Sequence, residues 1–148
     1  MLDAIFHCIG AWLLRIASTR RTALLALLLA TPAVAQERIL VLDGDTIAVG
    51  RERIRIIGLD APETFDARCP AEKRLGDKAT AAMRQMVAQG ARIERTDSKD
   101  RYRRTLARVY YQGRDVADIM VERGLAMPYD CPGGHCPRRI DWCAKLGE

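Results

Sequence analysis

Residues 38–63 read RILVLDGDTIAVGRERIRIIGLDAPE, and the architecture of the chain turns on how this stretch is parsed. Residues 38–42 form a short apolar run rich in strand-favouring side chains. The run ends at Asp43-Gly44, a pair that tolerates tight backbone geometry. Residues 46–49 and 53–56 alternate as half-buried strands do, and Gly50-Arg51-Glu52 between them reads as a hairpin turn. Three meandering strands are therefore predicted here.

Outward from this meander the period changes. Leu75, Ala79, Ala82, Met83, Met86 and Val87 recur at helical spacing within residues 70–89, and Gly90 ends the pattern. The stripe is read as a core face against the sheet and carries no chemistry. Residues 91–96 and 105–111 read as the fourth and fifth strands, joined by a charged loop over residues 97–104. Val116, Ile119, Met120 and Val121 give residues 116–123 the apolar surface of a short helix, closed by Gly124. From Met127 the chain is rich in Pro, Gly and Cys and is read as an irregular tail. Five short strands with a helix inserted after the third predict an α+β domain. The expected form is a small five-stranded OB-type β-barrel with two to three helices packed outside.

The N-terminus belongs to a different class. Residues 22–35, TALLALLLATPAVA, are apolar, follow Arg15, Arg20 and Arg21, and end in the small-x-small pattern Ala33-Val34-Ala35. Residues 1–35 are therefore expected to be a cleaved signal peptide. A membrane anchor is the competing reading, but the run carries Pro32 and falls short of the roughly 20 residues a spanning helix needs. The predicted organisation is a signal peptide at 1–35, a barrel domain at 36–130 and a Cys-rich tail at 131–148 tied to it. Beyond residue 35 there remain 21 Lys and Arg against 18 Asp and Glu, a net charge of +3. Such an excess permits a polyanionic partner without requiring one.

Four cysteines remain in that portion: Cys69, Cys131, Cys136 and Cys143. In an exported chain they suggest two disulfides with three possible connectivities. The favoured pairing is Cys131–Cys136, closing a short Pro-Gly-Gly-His loop, with Cys69–Cys143 tying down the tail. The alternative is a zinc site built from Cys131, His135, Cys136 and Cys143.

Three charged segments lie at the ends of predicted strands, where functional loops belong. They are Asp43-Gly44-Asp45-Thr46, Arg55 through Asp60-Ala61-Pro62-Glu63, and Asp100-Arg101-Tyr102-Arg103-Arg104. Each alone is bland: a DGD turn, a Pro-opened loop, a solvated basic face. An EF-hand fails by position, since Ala48 stands where its glycine belongs and Ile54 where its glutamate belongs. Taken in order, V-x-D-G-D-T, R-x-x-G-x-D-A-P-E and D-R-Y-x-R-x-L-A resemble the staphylococcal nuclease (thermonuclease-like) family. The resemblance runs over roughly residues 39–129.

The resemblance implies a calcium-dependent endonuclease that hydrolyses DNA and RNA with little sequence preference and leaves 3′-phosphate ends, and the N-terminal segment adds the expectation that it is exported, periplasmic or secreted. Asp45 and Asp60 would be carboxylate ligands of Ca²⁺, with the backbone carbonyl of Ala61 a further ligand. Glu63 would orient or deprotonate the attacking water, and Arg55 and Arg104 would grip the phosphate. Asp43 and Thr46 would support the site, and Tyr102 and Tyr129 would stack on bases or bond a phosphate. Nucleic acid is the implied partner of a monomer with no stable protein partner and no membrane association after cleavage. The chemistry is coherent, because a hard cation and two guanidiniums offset the charge that gathers on a phosphodiester in its transition state. Two departures stand out: Arg103 occupies the place of a glycine in the family's D-R-Y-G-R turn, and the 46–55 hairpin is short. The rival reading is a non-catalytic barrel that binds single-stranded nucleic acid or a protein.

Overall fold

The computed structural model describes residues 38–131 and 136–148. The expected signal peptide and His135 lie outside the described residues. The predicted meander is present as β1 (Ile39–Val41), β2 (Thr46–Val49) and β3 (Glu52–Ile56). All three pair antiparallel, with Val41 opposite Ile47 and Thr46 opposite Arg55. Strand β6 (Thr105–Tyr111) then docks parallel to β3, Ile54 facing Thr105 and Ile56 facing Ala107. Antiparallel to β6 runs β5 (Arg92–Lys99), which carries an irregularity between Arg95 and Lys99. The main path is thus β1-β2-β3-β6-β5, the five strands read from the sequence, with β7 (Arg114–Asp115) paired to β6 at the side. With three helices outside, this is the expected α+β, OB-like architecture.

Helix α1 (Pro70–Ala88) lays Ala79, Met83 and Met86 on the core, where they meet Ile47, Ile54, Ile56 and Val109. Each such large side chain, fully buried, stabilises the fold by about 1.5–3 kcal/mol. Helix α2 (Val116–Glu122) buries Val116, Ile119 and Met120, and Asp115 caps it by accepting the Ala117 N–H at 2.9 Å.

The structure departs from the sequence reading after β3 and in the tail. Strand β4 (Gly58–Asp60) pairs antiparallel with β8 (Met127–Tyr129), Asp60 facing Met127, in a second two-stranded sheet. Three-residue strands are too short to show alternation, so the sequence offers no periodic sign of them. The tail also contains a helix, α3 (Trp142–Leu146), capped by Asp141 and packed on α1 with Trp142 buried. Both favoured disulfides are formed, Cys69–Cys143 and Cys131–Cys136, and with those sulfurs joined the zinc alternative is excluded.

Candidate active site

Asp45 and Asp60 are almost wholly buried, at 4% and 0% exposure. Asp45 stands in the turn before β2, its N–H donating to Asp43 Oδ1 at 3.0 Å. Its carboxylate accepts the Thr46 hydroxyl at 3.0 Å and the Ala61 N–H at 3.1 Å, which joins the first acidic loop to the second. That contact is close because Gly44 passes between Ala61 and Ala79. A Cβ at Gly44 would lie 2.7 Å from one methyl and 2.8 Å from the other. Arg55 projects from β3, pairs with Asp45, reaches Asp60 Oδ1 at 3.3 Å, and donates to the Leu59 carbonyl at 3.1 Å. Two buried carboxylates are tolerable here because this guanidinium, itself only 11% exposed, lies against both.

Helix α1 positions Glu63. The buried Glu72 carboxylate accepts the Arg68 N–H at 2.8 Å and the Glu63 N–H at 3.4 Å. One turn on, Gly76 lets the helix press on the loop, since a Cβ there would meet the Glu63 carbonyl oxygen at 2.4 Å and that of Pro62 at 2.8 Å. Burial, followed by the charge of Asp45, pushes the Asp43 carboxyl up to about 7.

Arg104 stands at the edge of this group. It pairs with Asp100 at 2.7 Å and donates to Thr46 Oγ1 at 3.3 Å, so Thr46 links it to Asp45. Its guanidinium lies over the exposed Tyr102 ring, 5.4 Å from the centroid. Tyr129 donates its hydroxyl to the Pro137 carbonyl at 2.9 Å, so its polar end is engaged by the tail. The structure thus brings Asp43, Asp45, Thr46, Arg55, Asp60, Ala61 and Glu63 together, with Arg104 linked through Thr46. It holds Tyr102 beneath Arg104 and turns the Tyr129 hydroxyl toward residue 137.

Arg139 is the residue the sequence reading missed. Its Nε donates to Asp60 Oδ1 at 2.8 Å, and one terminal nitrogen lies 2.5 Å from Glu63 Oε1. The other lies 2.6 Å from Asp60 Oδ1, 3.4 Å from the Ala61 carbonyl oxygen and 3.9 Å from Asp45 Oδ2. Burial works against its charge, but the carboxylates of Glu63 and Asp60 more than offset this and raise its pKa. The only sign in the sequence is an Arg138-Arg139 pair between two bridged cysteines, which says nothing of where the tail lands.

The donor set fits a hard cation. Asp45, Asp60 and the Ala61 carbonyl offer oxygen donors alone, and a positive group, the Arg139 guanidinium, already lies within 4 Å of all three. Among the described residues, the one trio of acid and thiol ligand atoms lying within 4.8 Å of one another is instead Cys69, Glu72 and Cys143, whose sulfurs are tied in a disulfide and unavailable to a metal.

Residues 53–138 match the family model described as staphylococcal nuclease homologue, more than half of the chain. The chain belongs to the staphylococcal nuclease family. Within this family it is similar to a thermonuclease of Staphylococcus hyicus, 34% identical over 91 residues, or 58% of this chain and 54% of that protein. It is also similar to an uncharacterized endonuclease of Haemophilus influenzae, 37% identical over 93 residues, or 59% of this chain and 48% of that protein. A longer match joins it to the succinoglycan biosynthesis protein ExoI of Rhizobium meliloti, 32% identical over 126 residues, 77% of this chain and 65% of that protein. The chain spans about half the length of the first two relatives. The segments carrying Asp60, Glu63, Arg55 and Arg104 fall inside the nuclease-family match, whereas Asp43 and Asp45 precede it and Arg139 follows it by one residue.

Proposed function

We propose that the chain is a calcium-dependent nuclease, exported to the periplasm or beyond, that hydrolyses phosphodiester bonds of DNA and RNA with little sequence preference. One observation carries the reading: two buried aspartates and a backbone carbonyl from separate loops converge with Glu63 beside them and Arg55 across them. Metal dependence is a property of the family. Calcium would be held by Asp45, Asp60 and the Ala61 carbonyl, with Glu63 and Asp43 close by. When bound, the ion would offset negative charge on the phosphoryl oxygens.

The chain's own residues do the rest. Arg55, held against Asp45, Asp60 and the Leu59 carbonyl, would offer its remaining donors to a phosphate oxygen, and Arg104 would present a second guanidinium from the edge. Neither guanidinium serves as a proton donor, because each stays charged at any working pH. Glu63 accepts a proton from the attacking water, provided the water sits about 3 Å away. Attack at phosphorus with the 5′ oxygen leaving would give 3′-phosphate ends. Contacts to phosphate rather than base edges account for weak sequence preference. The two disulfides support an oxidising compartment.

Digestion of plasmid DNA and of RNA, with Ca²⁺ and then with chelator, tests this. Cleavage is expected only with the ion, and Glu63→Gln is expected to slow it on the order of 10²–10³-fold with folding intact. Activity that survives chelation would reject the metal role. Binding of single strands without cleavage under any divalent ion would favour the non-catalytic reading.

A further inference from the structure

The contacts of Arg139 are those a cation would make. One guanidinium touches Asp60 Oδ1 at 2.6 Å, the Ala61 carbonyl at 3.4 Å and Asp45 Oδ2 at 3.9 Å, and its far nitrogen holds Glu63 at 2.5 Å. The next residue closes over the same carboxylate, the Ile140 N–H donating to Asp60 Oδ2 at 3.3 Å. A divalent ion such as Ca²⁺ needs its oxygens at about 2.3–2.6 Å and accepts no cation among them. Guanidinium and ion therefore cannot hold this oxygen set at once. While Arg139 is in place, Glu63 Oε1 is also engaged.

The arginine is tethered on both sides. Toward the N-terminus, Cys131–Cys136 closes a short loop and the Tyr129 hydroxyl grips the Pro137 carbonyl. Toward the C-terminus, Asp141 pairs with Arg68 at 3.3 Å, and Cys143 is bonded to Cys69 at the start of α1. A group on so short a leash acts at an effective concentration in the millimolar range or above. The tail is thus built to return Arg139 to the acidic loops whenever it leaves.

We propose that Arg139 is a tethered internal competitor for the cation site, so that metal binding requires its expulsion and the tail sets the protein's metal affinity. The inference rests on the metal-site reading given above. Asp45 and Asp60 are neutralised before any metal arrives by two guanidiniums, Arg55 from β3 and Arg139 from the tail, and of the two Arg139 is the more exposed, at 45% against 11%. The ion gains entry by displacing one hydrogen-bonded positive charge, and the same displacement releases Glu63. Arg139 acts through these groups and is a positioning residue.

Calorimetric titration of CaCl₂ into the full chain and into Arg139→Gln tests the competition. Removing a charge-assisted competitor is expected to tighten Ca²⁺ binding at least about tenfold, and the calcium-induced rise in Tm should be larger in the variant. Equal or weaker affinity in Arg139→Gln, with wild type still binding, would overturn the competition and leave the metal site standing. Failure of both proteins to bind Ca²⁺ would remove the metal site and the competition together. Should the variant fail to fold, the wild-type protein supplies a second readout: the Arg139 Nε–H resonance in a ¹⁵N spectrum. It is expected to be slow to exchange with solvent in chelator and to lose that protection at saturating Ca²⁺. A resonance unchanged by saturating Ca²⁺ would sink the proposal.

Discussion

Gly76 sits in the middle of a helix, where alanine would normally be preferred by about 1 kcal/mol. Here the clash decides the sign, because a Cβ would stand 2.4 Å from the Glu63 carbonyl oxygen. Gly76→Ala must push the Pro62–Glu63 backbone away, and overpacking of this kind costs about 1–3 kcal/mol. Thermal melts should show the loss, and kcat should fall more than KM rises, because the displaced backbone is the one that carries Glu63. Arg103 poses the opposite case, with φ at +64° where a side chain is strained. Arg103→Gly is expected to stabilise by a few tenths to about 1 kcal/mol, the relief partly offset by the freedom glycine adds to the unfolded chain. A Tm that fell instead would show that the arginine side chain contributes more than the backbone strain costs. Of these two residues only Arg103 was legible beforehand, because it stands in a turn pattern that elsewhere holds glycine. The need for glycine at 76 arises from a loop thirteen positions earlier, and nothing local in the helix announces it.

At the level of elements, the turn between β5 and β6 is organised by one carboxylate. Asp100 accepts the backbone N–H groups of Tyr102 and Arg104, each at 2.9 Å, and pairs with the Arg104 guanidinium. Burial alone would raise its pKa, but these bonds prevail and hold it below the ordinary 3.8. A depressed carboxylate stabilises the fold fully above its unfolded pKa and loses that contribution as pH falls through the lower folded value. Melting profiles from pH 5 downward should therefore be flatter for Asp100→Asn than for wild type, with a lower Tm at pH 5. The long periodic elements were readable from hydrophobic spacing: the meander, α1 and the β5–β6 pair. The short ones were not. Strands β4 and β8 form because Asp60 and Met127 are brought together by packing, and five-residue α3 is held against α1 by a disulfide rather than by its own propensity. The same limit applied to the site. Asp45, Asp60, Arg55 and Glu63 lie in spaced motifs, whereas Arg139 reaches them only by the path of the tail.

For the whole molecule, the Cys69–Cys143 bridge closes 74 residues of chain. On the chain-entropy account it contributes about 4 kcal/mol and the short Cys131–Cys136 bridge about 2, both upper estimates. Denaturant titration of the Cys69→Ala, Cys143→Ala double variant should show the larger loss, and Cys131→Ala, Cys136→Ala the smaller. The reverse order would mean that the long bridge does little to restrict the unfolded ensemble.

The parallel seam between β3 and β6 has a consequence for how this protein comes to life. It sets Ile54 against Thr105, and so places Arg55 and Arg104, each one residue from that pair, on a common frame. Strand pairing leaves no half-measures: a slip of β6 by one position would carry Arg104 away from Thr46. The first meander can zip up soon after synthesis, but its acidic loops lack Arg104 until β6, about a third of the chain further on, arrives. Turnover should therefore emerge as the last event of refolding, lagging behind helix and hairpin formation, and would time the moment at which the seam closes.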